Sequence, residues 1–190
     1  MGQMFSGCSN LSSIDVSSFD VSKVNIMTAM FLNCSKLERI DISNFHSDQV
    51  YTCTRMFSNC SSLISIIFGK LTLKMEPSKP YNEIMNELFS QCTFLTNLDL
   101  SEFDTSNILN SSYMNDAFAN TPDLWKIKLG PNTKIFPDMG NSVRHYSAKF
   151  PKPISGTKIK DINDPNGFYY VRDDKWQEVG TVLIMSRMDP

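Results

Sequence analysis

Apolar residues recur along this chain in a fixed order that repeats every 26 residues. The pairs Met4-Phe5, Met30-Phe31 and Met56-Phe57 are each followed, three residues after the phenylalanine, by a cysteine. A leucine comes three residues after that cysteine, and an isoleucine three residues later again. A fixed period of this length is typical of a solenoid, in which each repeat buries its apolar side against the next repeat.

Five repeats can be aligned on this pattern by their leucines. The leucines that mark the register are Leu11, Leu37, Leu63, Leu95 and Leu124. The steps before the fourth and fifth of them are 32 and 29 residues long, so insertions must lie in loops. The larger insertion is expected near residues 74–82, where Pro77 and Pro80 interrupt regular structure.

Each repeat predicts one short strand and one short helix. In the first repeat, outward Asp15 alternates with inward Ile14 and Val16, which predicts a strand. The segment after it has the spacing of one helix face. The residues on that face are Val24, Met27, Met30 and Phe31. The pattern therefore predicts a curved α/β solenoid of about five coils.

The pattern stops after Gly130, which divides the chain into two predicted parts. Residues 167–171 and 175–179 are β-prone and flank a short polar link, so they predict a hairpin. Because a solenoid end exposes an apolar cross-section, we expect residues 1–130 to form the solenoid and residues 131–190 a small β-rich cap. An independent domain joined by a linker is the alternative for residues 131–190.

Composition excludes several classes of function. The net charge of −2 and the isoelectric point of about 5.7 provide no basic surface for nucleic acid or anionic lipid. No apolar run approaches the ~20 residues of a membrane helix, so no membrane insertion is predicted for this segment. Met1 aligns with Met27, so the sequence begins inside a repeat, which predicts a fragment of a longer protein.

The cysteines are predicted to be buried free thiols. Cys8, Cys34, Cys60 and Cys92 share one column of the repeat, and Cys53 lies in the Met27 column. Small apolar side chains in a tight inner corner account for all five, and no Cys-x-x-Cys pair with zinc-ligand spacing occurs. No metal, disulfide or cofactor is therefore predicted.

No catalytic constellation is found, and the chain is predicted not to be an enzyme. His46 and His145 lie outside the strand columns and have no nucleophile beside them. The Asn-x-Ser patterns recur with the repeat and are interpreted as turns rather than glycosylation sites. The aspartates Asp15, Asp41 and Asp99 are interpreted as a solvated face rather than a calcium site, because their oxygen-ligand density is low.

The outward face of the strands is the candidate binding site. Its charge changes from acidic to basic along the array, and Ile67 and Trp125 could supply apolar anchors. Burial beneath the cap is the favoured alternative for Trp125, since an aromatic ring fills such a junction well. Solenoids bind partners through extended surfaces of this kind. The predicted binding residues are Arg39, Asp41, Ile67, Asp99, Trp125, Lys126 and Lys128.

The run Met-Phe-x-x-Cys-Ser-x-Leu-x-x-Ile-Asp-Ile-Ser-x-Phe, from Met30 to Phe45, resembles the repeats of BspA-like leucine-rich-repeat surface proteins of bacteria. The resemblance covers residues 1 to about 130. It implies a leucine-rich-repeat-like right-handed solenoid that is secreted and held at the cell surface or cell wall. It also implies adhesion to a host matrix or cell-surface protein or glycan, and no catalytic residues. Ile67, in place of aspartate, departs from the family pattern.

Two alternatives to adhesion remain at this point. The array could be a structural stalk that displays another domain and binds nothing itself. The C-terminal part could belong to a cell-wall-processing enzyme, which would need a pair of carboxylates there. Its acidic residues are scattered along the sequence: Asp161, Asp164, Asp173, Asp174 and Glu178.

Overall fold

The structure is a computed structural model that describes residues 1–75, 83–108, 111–124, 126–129 and 132, and residues 159–160, 168–171, 176–179 and 182–185. These residues form strands and turns, and their only helical segment is a single 3-10 turn, Ser111–Met114. The strands are β1 (Arg39–Ile42), β2 (Ser47–Val50), β3 (Ser65–Phe68), β4 (Leu71–Leu73), β5 (Asn97–Leu100), β6 (Lys126–Leu129), β7 (Ile159–Lys160), β8 (Phe168–Val171), β9 (Trp176–Val179) and β10 (Val182–Met185).

The parallel part of the main sheet takes one strand from each of the second to fifth repeats. Strands β1, β3, β5 and β6 pair in parallel in that order. Equivalent repeat positions lie opposite each other: Asp41 pairs with Ile67, Ile67 with Asp99, and Asp99 with Lys128. A second, smaller parallel pair is formed by β2 and β4. The strands therefore pair in the register that the repeat alignment of the sequence predicts.

The strand predicted in the first repeat is not formed, because residues 13–16 belong to no sheet. The backbone bond from the second repeat is long, with 3.4 Å between the Glu38 nitrogen and the Ser12 oxygen. A side chain makes the shorter bonds, since the Asn44 amide donates to the carbonyls of Val16 and Ser17, both at 3.0 Å. The first repeat is thus held beside β1 without a strand ladder.

The helices predicted in each repeat are wrong, and turns that bond to the next repeat occupy their place. Alternate N–H groups of residues 27–33 donate across to the next repeat. These bonds run from Met27 to Thr52, Ala29 to Thr54, Phe31 to Met56 and Asn33 to Ser58, at 2.8–2.9 Å. Between them, the N–H groups of Met30 and Leu32 bond to carbonyls three residues back in the same repeat. An α-helix would direct every N–H to the carbonyl four residues back, so this bonding replaces the helix.

Two left-handed residues per repeat allow the chain to turn in this way. Apart from Gly7 at +78°, their φ angles lie between 52° and 65°. The first column contains Gln3, Ala29, Arg55, Glu87 and Asp116. The second contains Gly7, Asn33, Asn59, Gln91 and Asn120. Glycine and asparagine adopt this conformation at low cost, which accounts for the asparagines before the cysteine column as turn residues.

A column of phenylalanine rings forms the centre of the core. The rings of Phe5, Phe31, Phe57, Phe89 and Phe118 stack with successive centroid distances of 5.3, 5.4, 5.8 and 5.6 Å. Phe31, Phe57 and Phe89 are fully buried. Each offset-stacked pair adds roughly 0.5–1.5 kcal/mol to the contribution from burial. The core is therefore one continuous apolar column that crosses the repeats.

Buried thiols link the same repeats. The Sγ atoms of Cys34, Cys60 and Cys92 donate to the carbonyls of Phe5, Phe31 and Phe57, at 3.2, 3.1 and 3.1 Å. Burial raises the pKa of Cys34 to about 11 and that of Cys92 to about 12, so both remain protonated donors at neutral pH.

All five cysteines are free, and four of them are buried as predicted. The prediction is wrong for Cys8, which is exposed. Cys8 lies in the first repeat, and no other described repeat packs over its outer side.

The C-terminal strands lie where the sequence places them but pair differently. Strand β8 pairs antiparallel with both β6 and β7, and β9 pairs antiparallel with β10. The predicted hairpin between residues 167–171 and 175–179 is therefore not formed, since each of its strands has another partner. Most of the insertion predicted near residues 74–82 lies outside the described residues.

The ring column makes a stability prediction. Replacing Phe57 by alanine should lower the free energy of unfolding by about 3–5 kcal/mol, because the ring is fully buried between two others. Phe94→Ala is the matched control, since Phe94 is 59% exposed and its loss should change stability by less than about 0.5 kcal/mol. Urea unfolding followed by circular dichroism measures both. Equal effects of the two substitutions would contradict the stacked core.

The left-handed columns make a second stability prediction. Gln91 is the one member of its column that is neither glycine nor asparagine, and its φ is 65°. Gln91→Gly should raise the free energy of unfolding by roughly 0.5–1 kcal/mol, because the strain of a left-handed side chain exceeds the added chain entropy. Gln49→Gly, in strand β2, should instead lower it by a similar amount. Thermal unfolding of both variants checks the opposite signs.

Candidate functional site

The outward face of the main sheet collects most of the predicted binding residues. In β1, Ile40 and Ile42 are buried while Arg39 and Asp41 are exposed, because successive strand side chains point to opposite faces. Strands β3 and β5 show the same alternation. The outward positions form two columns across the strands, which we call the first and second outward columns. The first contains Arg39, Ser65, Asn97 and Lys126, and the second contains Asp41, Ile67, Asp99 and Lys128.

Six of the seven predicted residues are therefore in these two columns, and Trp125 lies outside the described residues. For Lys126 the structure describes the strand position alone. The second column brings together Asp41, Ile67, Asp99 and Lys128 in adjacent register positions. Arg39 is in the first column, where its Nη1 donates to the Ser65 hydroxyl at 3.1 Å.

Ile67 is an exposed apolar residue at the centre of this polar face. Its side chain is 52% exposed, although aspartates lie in register on both sides of it. Water contact with an aliphatic side chain is unfavourable, so the exposed half of Ile67 gains no hydrophobic free energy from folding. A partner that covers Ile67 would gain the hydrophobic free energy of removing this side chain from water.

The charges of the second column are unevenly balanced. The Lys128 ammonium lies 3.3 Å from the Asp99 carboxylate, which pairs these two charges. Such a partly exposed ion pair contributes only about 0–1 kcal/mol to stability. Asp41 forms no ion pair with any residue in the described part of the chain. The uncompensated negative charge of the column therefore lies on the Asp41 side of Ile67.

The aspartates at this position of the repeat, including Asp15 in the first repeat, each accept a hydrogen bond from the serine two residues later. The Asp15 carboxylate accepts the Ser17 N–H at 2.9 Å, and the Asp41 carboxylate accepts the Ser43 N–H at 2.8 Å. Asp99 repeats the arrangement with Ser101, whose N–H and hydroxyl lie at 2.9 and 2.6 Å.

The hydrogen bonds to Asp15 and Asp41 favour the ionised form of each carboxyl. The side-chain and then the backbone hydrogen bond from Ser17 lower the pKa of Asp15, and those from Ser43 lower the pKa of Asp41. The aspartates thus have a structural task as well as a charge.

The third repeat departs from this arrangement at two positions together. Ile67 replaces the aspartate, and Gly69 replaces the serine two residues later. A Cβ at Gly69 would lie 2.3 Å from the Phe45 carbonyl oxygen and 2.6 Å from that of Ser43, so only glycine fits there. The turn after β3 is therefore made by close backbone approach and needs no carboxylate. Ile67 is free of the structural task that Asp41 and Asp99 perform.

Phe94 is an exposed apolar residue that the sequence analysis did not single out. It is 59% exposed and lies two residues before Thr96, at the entry to β5. The signal was present in the alignment, since the other repeats carry polar residues at this position, such as Lys36 and Ser62.

The described residues contain neither a candidate metal site nor a candidate membrane-spanning helix. No group of three or more histidine, cysteine, aspartate or glutamate side chains is placed to hold a metal ion in this part of the chain. Across the same residues, no helical segment has the length and apolar character needed to cross a bilayer.

Two family models match the chain. Residues 70–142 match the model of the BspA type leucine rich repeat region. Residues 1–72 match the model of a family described as Mycoplasma protein of unknown function, DUF285. No curated protein and no solved structure shows significant similarity to the chain. The family expected from the Met-Phe-x-x-Cys-Ser-x-Leu pattern is thereby confirmed.

The serine-bonded aspartates predict how stability depends on pH. Because the folded pKa of Asp15 and of Asp41 lies below the ordinary value of 3.8, the stabilisation from their hydrogen bonds is present above that pH. It is lost as the pH falls through the folded values. In an Asp15→Asn/Asp41→Asn variant the amide oxygen can still accept the serine N–H, but it no longer titrates.

Urea unfolding from about pH 6 to about pH 2 should therefore show a shallower acid decline in that variant than in the unmodified chain. Superimposable declines would contradict a stabilising role for these carboxylates.

Proposed function

The chain is a BspA-like leucine-rich-repeat protein, and we propose that it is a non-enzymatic binding domain of a cell-surface protein. It uses the outward face of the main sheet to bind a protein or glycan of a host or neighbouring cell. The strand-rich, nearly helix-free fold is leucine-rich-repeat-like. Repeat proteins of this kind present extended surfaces to their partners.

The exposure of Ile67 is the observation that carries the proposal. The repeat pattern places an aspartate at this position in the first, second and fourth repeats, and the third carries an isoleucine that is 52% exposed. An apolar side chain with charged neighbours on the same face is the arrangement of a binding anchor within a polar rim. Neither the core nor the turn after β3 requires it, because Gly69 makes that turn.

The architecture that presents this face is proposed as a right-handed solenoid of about five coils over residues 1–130, with residues 131–190 as its cap. Parallel pairing of one strand per repeat supports the solenoid. The antiparallel pairing of β8 with β6 supports the cap, because it covers the edge of the last parallel strand.

The proposed location rests on the family match. BspA-type repeats are typical of surface proteins, which supports secretion and attachment to the cell surface or cell wall. On this proposal the partner is a host matrix or cell-surface protein or glycan, and binding to it is adhesion.

A structural stalk is the second candidate function. The continuous ring column and the repeat-to-repeat backbone bonds favour it, since they make the array stiff along its length. A stalk would hold another domain away from the surface and would show no saturable binding of its own.

A binding screen separates the two candidates. The chain should bind at least one component of an array of matrix proteins and glycans saturably. Exchanging the charges by Arg39→Glu with Asp41→Lys should weaken that binding at least tenfold, because both residues are on the proposed face.

The matched control exchanges an ion pair on the side of the repeats formed by the left-handed turns, which we call the turn side, by Arg55→Glu with Glu87→Arg. It leaves the net charge unchanged, as the test exchange does, and should leave binding unchanged. Loss of binding in the control alone, or no saturable binding at all, would contradict the proposal.

A further inference from the structure

We infer that the partner presents a protein segment in which a lysine or arginine side chain lies beside an apolar side chain. The apolar side chain covers Ile67, and the cation lies against Asp41. This inference rests on the proposed function of the outward face and specifies the chemistry of its partner.

The position of the uncompensated charge determines where the cation binds. On one side of Ile67, Lys128 lies 3.3 Å from Asp99 and pairs its charge. On the other side, Asp41 is exposed and has no ion pair among the described residues, and Asp15 is exposed one repeat earlier. Hydrogen bonds from Ser17 and Ser43 lower the pKa of these two carboxyls, so both carry a negative charge at neutral pH. A cation of the partner therefore gains more electrostatic attraction on the Asp41 side of Ile67 than on the Asp99 side.

The nearby cation of the protein does not fill this place. Arg39 belongs to the first outward column, in register with Ser65, and its guanidinium donates to the Ser65 hydroxyl. This hydrogen bond directs the Arg39 side chain towards the next residue of the first outward column. Within the described residues, no ion pair joins Arg39 to Asp41. A partner's lysine or arginine can therefore approach Asp41 without displacing an existing ion pair.

The sheet sets the spacing that the partner must match. Neighbouring strands are about 4.8 Å apart, so Asp41 and Ile67 present their side chains at about that separation. Side chains three or four residues apart on a helix are separated by about 5–6 Å, and alternate residues of an extended segment by slightly more. A short peptide can therefore place one cation and one apolar side chain on these two positions together.

A glycan fits this pair of positions less well. Neutral sugars carry no cation for Asp41, and acidic sugars would be repelled by it. The exposed Ile67 side chain offers no hydrogen bond to a sugar hydroxyl. The combination of a carboxylate and an aliphatic side chain thus favours a protein partner over a carbohydrate.

Selection from a displayed library of random 12-residue peptides tests the inference, with the full chain as bait. Selected peptides should be enriched in lysine or arginine close to leucine, isoleucine or phenylalanine. Their affinity should fall at least tenfold in Ile67→Ser and several-fold in Asp15→Asn/Asp41→Asn. Added salt should weaken binding to the unmodified chain more than to the aspartate variant, because exposed charges are screened.

Two substitutions away from the face are the matched controls. Asp48→Asn removes an exposed carboxylate from β2, and Ile26→Ser removes an exposed isoleucine from the turn side. Both should leave peptide affinity within about twofold, which separates an effect of the face from a general loss of charge or apolar surface.

The outcomes distinguish this inference from the proposed function beneath it. Peptides enriched in acidic or uncharged residues, with binding that is still lost in Ile67→Ser, would overturn the partner chemistry and leave the face as the site. Peptides that keep their affinity in Ile67→Ser and in the aspartate variant would show that the face is not the site. A library that yields no binder would overturn both.

Discussion

The structure depends on a backbone hydrogen-bond pattern that no single repeat can complete by itself. On the turn side, each of the first four repeats donates N–H groups to carbonyls of the repeat that follows it. The intervening N–H groups close turns within their own repeat. Because a buried backbone group without a partner is costly, each repeat is stable only when another repeat is stacked on it.

The same bonding pattern explains which side chains fill the interior. Consecutive turns leave little room between the repeats, so stacked rings and small thiols occupy the inner columns. The thiols add a second link, because each buried cysteine from Cys34 onward in that column bonds to a phenylalanine carbonyl of the preceding repeat. Thr121 takes the cysteine position in the fifth repeat and bonds to Phe118 of its own repeat instead. The interior therefore couples neighbouring repeats through backbone, ring and thiol together.

Much of the fold could be predicted from the sequence because equal spacing places equivalent residues side by side. The register of Asp41, Ile67, Asp99 and Lys128 follows from the leucine alignment alone. The helices could not be predicted correctly, since Met27, Met30 and Phe31 have the spacing of a helix face and also of these turns. Asn33 and Asn59 carried a readable turn signal, whereas the left-handed Ala29 carried none.

Pairings between distant segments were beyond the sequence for a different reason. Strand β8 was predicted from its β-prone residues, but its pairing with β6 depends on the free edge that the last parallel strand offers. No local sequence pattern indicates which distant segment will pair with that edge. In the same way, the sequence predicted which residues point outward but not that Lys128 pairs with Asp99 while Arg39 bonds to Ser65. Those choices depend on distances across the sheet.

The proposed function depends on the positions where one repeat departs from the residue pattern of the others. Inward columns are constrained by the stacking, and the aspartates of the outward column are constrained by the serine N–H groups that they accept. Where glycine makes the turn instead, as at Gly69, the outward residue is released from that constraint. An aliphatic side chain at such a solvent-exposed position contributes little to the stability of the fold. The hydrophobic free energy of burying it can therefore be gained when a partner covers it. Asp41 remains charged beside it, so on our proposal a partner that satisfies both residues gains more than one that satisfies either residue alone.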